Sequence, residues 1–113
     1  MTVRALFVCS QNRLRSPTAE QVFSETPGLE VDSGGLNHDA IVPVTPEQVN
    51  WASVIFVMEK AQKGKLAKKF RDHLHGKRVV CLNIPDDYEF MDPALVQLLK
   101  VVVRRHLPSV FGR

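Results

Sequence analysis

The stretch Ala5-Leu6-Phe7-Val8-Cys9-Ser10-Gln11-Asn12-Arg13-Leu14-Arg15-Ser16-Pro17, followed by Thr18-Ala19-Glu20-Gln21-Val22-Phe23, decides the fold. Its first four residues form an unbroken apolar run and read as a short buried strand. Its last six read as a helix. Ser16 stands where an N-cap belongs, and Pro17 suits the first helical position. A cysteine thus ends a strand, a short loop follows, and an arginine and a serine stand at a helix N-terminus. That is the geometry of an anion site with a nucleophile at its base.

The chemistry follows from general principles. A helix N-terminus carries partial positive charge and unpaired N–H groups. A short loop leading into it can turn successive N–H groups of Ser10, Gln11, Asn12, Arg13 and Leu14 inward as an anion cradle. Arg15 adds a forked donor suited to two phosphate oxygens. The same positive surroundings favour a thiolate at Cys9, the nucleophilic form of the residue. The Ser16 hydroxyl is near enough in sequence either to donate to the sulfur or to cap the helix.

The rest of the chain is read around this loop. With 113 residues, 44% of them hydrophobic and 24% charged, it suits one soluble domain spanning 1–113. The apolar N-terminal run is too short for a signal peptide, and no segment is long enough to span a bilayer. Two cysteines make no disulfide framework, so a reducing cytoplasm is the expected location. Cys81 falls in the middle of an apolar run and is expected as a small buried hydrophobe.

Four strands are expected. After Leu6-Phe7-Val8 come Leu29-Glu30-Val31-Asp32-Ser33, ended by Gly34-Gly35, then Ser53 to Met58, then Val79 to Ile84. Residues 36–44 read as an irregular connection. Thr45-Pro46-Glu47-Gln48 is a capping box that opens a short helix towards Trp51. Lys60 to His75 reads as a helix closed by Gly76, with Leu66, Phe70 and Leu74 as its apolar stripe. Its lysines could steer an anionic partner, although such a run is more often a solvated face. Asp92 and Pro93 open a last helix whose core face is Leu95, Leu98, Leu99, Val102 and Val103. Strands separated by helices imply an α/β fold with a parallel sheet and right-handed crossovers.

The run from Leu6 to Pro17, with Cys9, five residues, then Arg15-Ser16-Pro17, resembles the phosphate loop of the low-molecular-weight protein tyrosine phosphatases. The resemblance implies a three-layer, four-stranded parallel sheet of order 2-1-3-4 with helices on both faces. It implies that Cys9 is the nucleophile and that Arg15 binds the phosphoryl group. Asn12 matches a loop asparagine with a left-handed backbone, and Ser33 matches a serine that braces it. Three positions depart from the family pattern. Gln11 replaces a glycine, Leu14 replaces the second cysteine of many members, and Asp87 stands where a proline usually follows the general acid. About twenty residues join Ser33 to Ser53, fewer than usual, so the wall of the site should be low and open.

A thiolate that displaces an alkoxide or phenoxide from phosphorus needs a proton donor above the loop. In the family this is an aspartate shortly after the fourth strand. Pro85-Asp86-Asp87-Tyr88 is similar to that stretch. Asp86 is the first choice, with Asp87 and Asp92 as the alternatives. The expected activity is cysteine-dependent hydrolysis of a phosphate monoester, phosphotyrosine or a small or nucleotide phosphate, through a phosphocysteine intermediate, with a phosphorylated protein or small phosphate ester as partner, no cofactor and no membrane. A nucleic-acid partner is not favoured. No metal is expected, since His73 and His75, two apart, should face different sides of their helix. Arsenate reduction, which needs more cysteines, and a non-catalytic phosphate-binding module are the rival readings.

Overall fold

Two alternating faces of the first strand place the core. The computed structural model describes residues 2–112. β1 (Val3–Cys9) is the inner strand of a parallel sheet ordered β2-β1-β3-β4, completed by β2 (Leu29–Gly35), β3 (Val54–Val57) and β4 (Arg78–Cys81). This is the expected order.

Side chains alternate across a strand. Ala5, Phe7 and Cys9 therefore face one side with Phe56 and Met58, under α1 (Arg15–Phe23) and α4 (Pro93–His106). Phe7 stacks on Phe23 and Phe56, with ring centroids 5.8 and 5.3 Å away. Leu6 and Val8 face the other side with Ile55 and Val57, under α2 (Pro46–Trp51) and α3 (Lys60–Lys69). Both faces are covered, so β1 from Ala5 to Cys9 and all of β3 are apolar, while Arg4, near the start of β1, is exposed. The sheet has three layers, as expected.

The caps of two helices are those the sequence announces. Thr45 and Gln48 bond reciprocally at the start of α2, and Asp92 accepts from the Ala94 N–H at the start of α4. Other boundaries differ. α1 begins at Arg15 with Leu14 before it, so Ser16 is not a cap. The Thr18 N–H and hydroxyl both bond the Leu14 carbonyl, and Pro17 falls in the first turn, where its missing N–H costs nothing. Gly34 and Gly35 end β2 from within, pairing with Val8 and Cys9 as its last two residues.

α3 stops at Lys69 rather than His75. Phe70 turns out of the helical region to bury its ring, and a short 3₁₀ turn at Arg71–His73 brings Leu74 back to the same cluster. Gly76, at φ 73°, belongs to the turn that follows. A fifth helix, α5 (Pro108–Phe111), was not expected. β4 is also shorter than its apolar run. Beyond Cys81 the chain stays on the sheet edge through bonds from Leu82 and Ile84 to the carbonyls of Val57 and Met58.

Candidate active site

β1 ends on Cys9 and α1 starts at Arg15, so the loop between them must reverse direction within five residues. Its carbonyls are held from outside. The N–H groups of Leu36, Asn37 and Ile41 donate to the carbonyls of Cys9, Ser10 and Gln11. The irregular connection after β2 is thus the outer clamp of the loop. Gly35 makes the approach possible, because a Cβ there would stand 2.8 Å from the Ser10 carbonyl oxygen.

Asn12 takes a left-handed backbone at φ 56°, a conformation that asparagine tolerates better than most residues. It is buried at the centre of a side-chain relay. Its amide donates to Ser16 Oγ and Ser33 Oγ, each at 3.0 Å, and Ser33 donates to Glu20. The pairing of Asn12 with Ser33 that the resemblance implies is present. With one lone pair of Ser16 taken by Asn12, its single proton is free to point at Cys9 Sγ, 2.9 Å away. The Asn12 N–H reaches the same sulfur at 3.2 Å. Two donors aimed at one sulfur suit an anionic thiolate.

Arg15 is buried at the floor of the site. Its Nη1 donates to the Ile84 carbonyl at 2.7 Å and to Glu59 Oε2 at 2.7 Å. Both hydrogens of Nη1 are thereby engaged, which leaves the Nε–Nη2 edge for an anion. Asp86 Oδ1 lies 3.7 Å from Nε. Gln62, also buried, accepts from the N–H groups of Met58 and Glu59 and donates to Ser10 Oγ at 3.3 Å. It ties the start of α3 to the loop.

A cavity of about 270 Å³ opens above this floor. It is lined by the loop from Cys9 to Arg15, save Asn12, and by Asp86. No residue of the connection between β2 and β3 lines it.

The three aspartates part company here. Asp86 faces the cavity, Asp87 is exposed outside its lining, and Asp92 caps α4. Tyr88 is half-buried against the core rather than beside the cavity.

Sequence reasoning missed Glu20, Glu59 and Gln62. Glu20 lies one helical turn after Ser16, and Glu59 directly follows the buried run that ends at Met58. Those positions, at the carboxyl end of the sheet, were the available signal.

Cys81 is not a mid-strand core residue. It is the last residue of β4, half-buried, with its sulfur 3.3 Å from Asn83 Oδ1. The register places Cys81 opposite Val57 and Val57 opposite Val8, on the sheet face away from Cys9. Two strand spacings, roughly 9.6 Å, and the sheet itself separate the two thiols, beyond the reach of a disulfide. Among the described residues, no group of histidine, cysteine and carboxylate side chains could hold a metal. Among the same residues, no helix is long and apolar enough to cross a membrane.

Neither a protein-family model nor a curated protein matches the sequence. Solved structures do match the fold. The tyrosine phosphatase Wzb from Escherichia coli K30, in complex with phosphate, superposes with a TM-score of 0.77 at 17% identity, over 97% of this chain and 99% of that one. The YwlE arginine phosphatase from Geobacillus stearothermophilus gives 0.74 at 18% identity, over 98% and 97%. The low-molecular-weight protein tyrosine phosphatase from Streptococcus pyogenes gives 0.77 at 16% identity, over 99% and 95%. The chain therefore has the fold of the low-molecular-weight tyrosine phosphatases.

Proposed function

We propose that the protein is a cysteine-dependent phosphatase that hydrolyses phosphate monoesters. One observation carries the reading: a cysteine sulfur held by two donors, a buried arginine with a free edge and an aspartate all border one cavity at a helix N-terminus. The neighbours of the same fold, described as tyrosine and arginine phosphatases, support it.

The reaction has two steps. Cys9 Sγ attacks phosphorus from the floor of the loop, forming an S–P bond as the P–O bond to the leaving group breaks. Developing charge on the equatorial oxygens is met by the loop N–H groups and the Nε–Nη2 edge of Arg15. Asp86 gives its proton to the departing oxygen. The Asp86 carboxylate then takes a proton from water, which attacks phosphorus and releases Cys9 as thiolate. Ser16 holds the sulfur in both steps, while Asn12 and Ser33 hold the loop. The substrate is a phosphorylated protein or a small phosphate ester, and the working location is a reducing cytoplasm.

The test is hydrolysis of an aryl phosphate by the full chain, beside titration with inorganic phosphate. Wild type should turn over, and Cys9→Ser should bind phosphate without turnover. Equal inactivity of wild type and Cys9→Ser with phosphate still bound would leave a phosphate-binding module instead.

A further inference from the structure

The cavity holds two arginines with different circumstances. Arg15 is buried, and its charge is met by Glu59 at 2.7 Å and by Asp86 at 3.7 Å. Arg13 is exposed, lines the mouth of the cavity, and has no carboxylate within 4 Å among the described residues. The charge that remains uncompensated at this site is therefore at its mouth, not at its floor. The other mouth residues cannot take up that role: Gln11 is neutral and Leu14 is apolar. Nor does an aromatic ring line the cavity, since Tyr88 is turned into the core. The mouth thus offers a plain aromatic leaving group no ring to stack on and offers an anionic one a guanidinium.

Resting on the phosphatase reading, we propose that Arg13 selects substrates whose leaving alcohol carries a second anion, a carboxylate or another phosphate, next to the phosphoryl group. The phosphoryl group occupies the loop and Arg15, and the second anion meets the forked guanidinium of Arg13 at the mouth. A cationic leaving group is disfavoured by the same charge. Arg13 is a specificity-determining residue in this arrangement, because its contact is to the leaving group rather than to phosphorus.

The experiment compares two matched esters, 4-carboxyphenyl phosphate and 4-carbamoylphenyl phosphate, which share size and differ in charge. The readout is the ratio of their kcat/KM values in wild type, Arg13→Gln and Arg13→Glu. An exposed charge pair predicts a wild-type ratio of about fivefold for the carboxylate, falling towards one in Arg13→Gln and inverting in Arg13→Glu. The wild-type preference should also shrink with added salt. A wild-type ratio near one, or a preference that survives in Arg13→Gln, overturns the proposal while leaving the phosphatase reading intact.

If neither ester is hydrolysed, the phosphatase reading fails separately. The same comparison is then made by calorimetry with 4-carboxybenzylphosphonate and 4-carbamoylbenzylphosphonate. An Arg13-dependent preference in binding supports the role of the mouth, and equal or absent binding overturns it. Small esters and phosphopeptides share the required chemistry. Tyrosine phosphopeptides flanked by glutamate or by glutamine, run beside a small bisphosphate ester, separate the two sources.

Discussion

Arg15 Nη1 and Glu59 Oε2 stand 2.7 Å apart, joining residues that the chain separates by α1, β2, α2 and β3. The pair fixes the guanidinium plane from behind, so that the opposite edge faces the cavity. Half of the Glu59 side chain is exposed, at 46%, so its charge adds little to folding. Its contribution is orientation. Glu59→Gln should lower kcat/KM about tenfold, close to 1.4 kcal/mol of transition-state stabilisation. The melting temperature should move by less than about 3 °C. Steady-state kinetics and thermal unfolding on the same preparation check both halves. A large drop in melting temperature with unchanged kinetics would make Glu59 a folding residue instead.

The relay through Asn12 predicts coupling. Asn12→Ala removes two buried hydrogen bonds and leaves a side chain poorly suited to φ 56°, a loss of about 2–3 kcal/mol in unfolding free energy. Asn12→Gly relieves the backbone but not the bonds, and should fall between wild type and Asn12→Ala. Ser33→Ala should cost about 1–2 kcal/mol alone and much less on top of Asn12→Ala. Denaturant titration of the four-member cycle measures this. Strict additivity would mean that the two side chains do not act as one unit.

The layers of the fold were legible because burial writes itself into sequence. A strand covered on both faces needs continuous apolar residues, and Ala5 to Val8 and Val54 to Met58 have them. The caps Thr45 and Asp92 are local, since residue and target lie within three positions. The meeting of Cys9 and Arg15 in one short loop was legible for the same reason. The partners of that loop were not. Glu59 and Gln62 reach it only once β3 lies beside β1, and the Leu36–Ile41 clamp only once β2 does, and no periodicity encodes such meetings. Ser16 had two targets within reach in sequence, the helix N-terminus and the Cys9 sulfur, and the fold holds it on the sulfur.

Gly35 and Gly28 make opposite predictions. A Cβ at Gly35 would press first on the Ala40 Cβ of the outer clamp and then on two backbone atoms of the loop, the Ser10 carbonyl oxygen at 2.8 Å and the Asn12 nitrogen at 3.0 Å. Gly35→Ala should therefore shift the cradle and weaken phosphate binding about tenfold or more. Gly28 has φ 80° and open space around it. Gly28→Ala should cost roughly 1 kcal/mol of stability through backbone strain alone, with phosphate affinity unchanged. Calorimetry with inorganic phosphate, paired with unfolding curves, distinguishes a loop effect from a stability effect.

Asp86 and Asp92 separate proton transfer from capping. Asp86 is exposed, lines the cavity and makes only a long contact, 3.7 Å, to Arg15, so Asp86→Asn should barely move the melting temperature. Its kcat/KM, which reports the transfer of the phosphoryl group to Cys9 and not the later attack of water, should fall about 10²-fold or more on phenyl phosphate, whose leaving oxygen needs a proton. The fall should be much smaller on 4-nitrophenyl phosphate, whose phenolate leaves unaided. Asp92 accepts from the Ala94 N–H at the start of α4, so Asp92→Ala should cost about 1 kcal/mol of stability and leave kcat within about twofold. Asp87→Asn should do neither, because its carboxylate meets neither the cavity nor a helix end. The leaving-group dependence is the decisive readout, since a carboxylate that only shaped the cavity would slow both esters alike. If that dependence appeared in Asp92→Ala and not in Asp86→Asn, the proton donor would have to be reached by a movement of the loop that carries both.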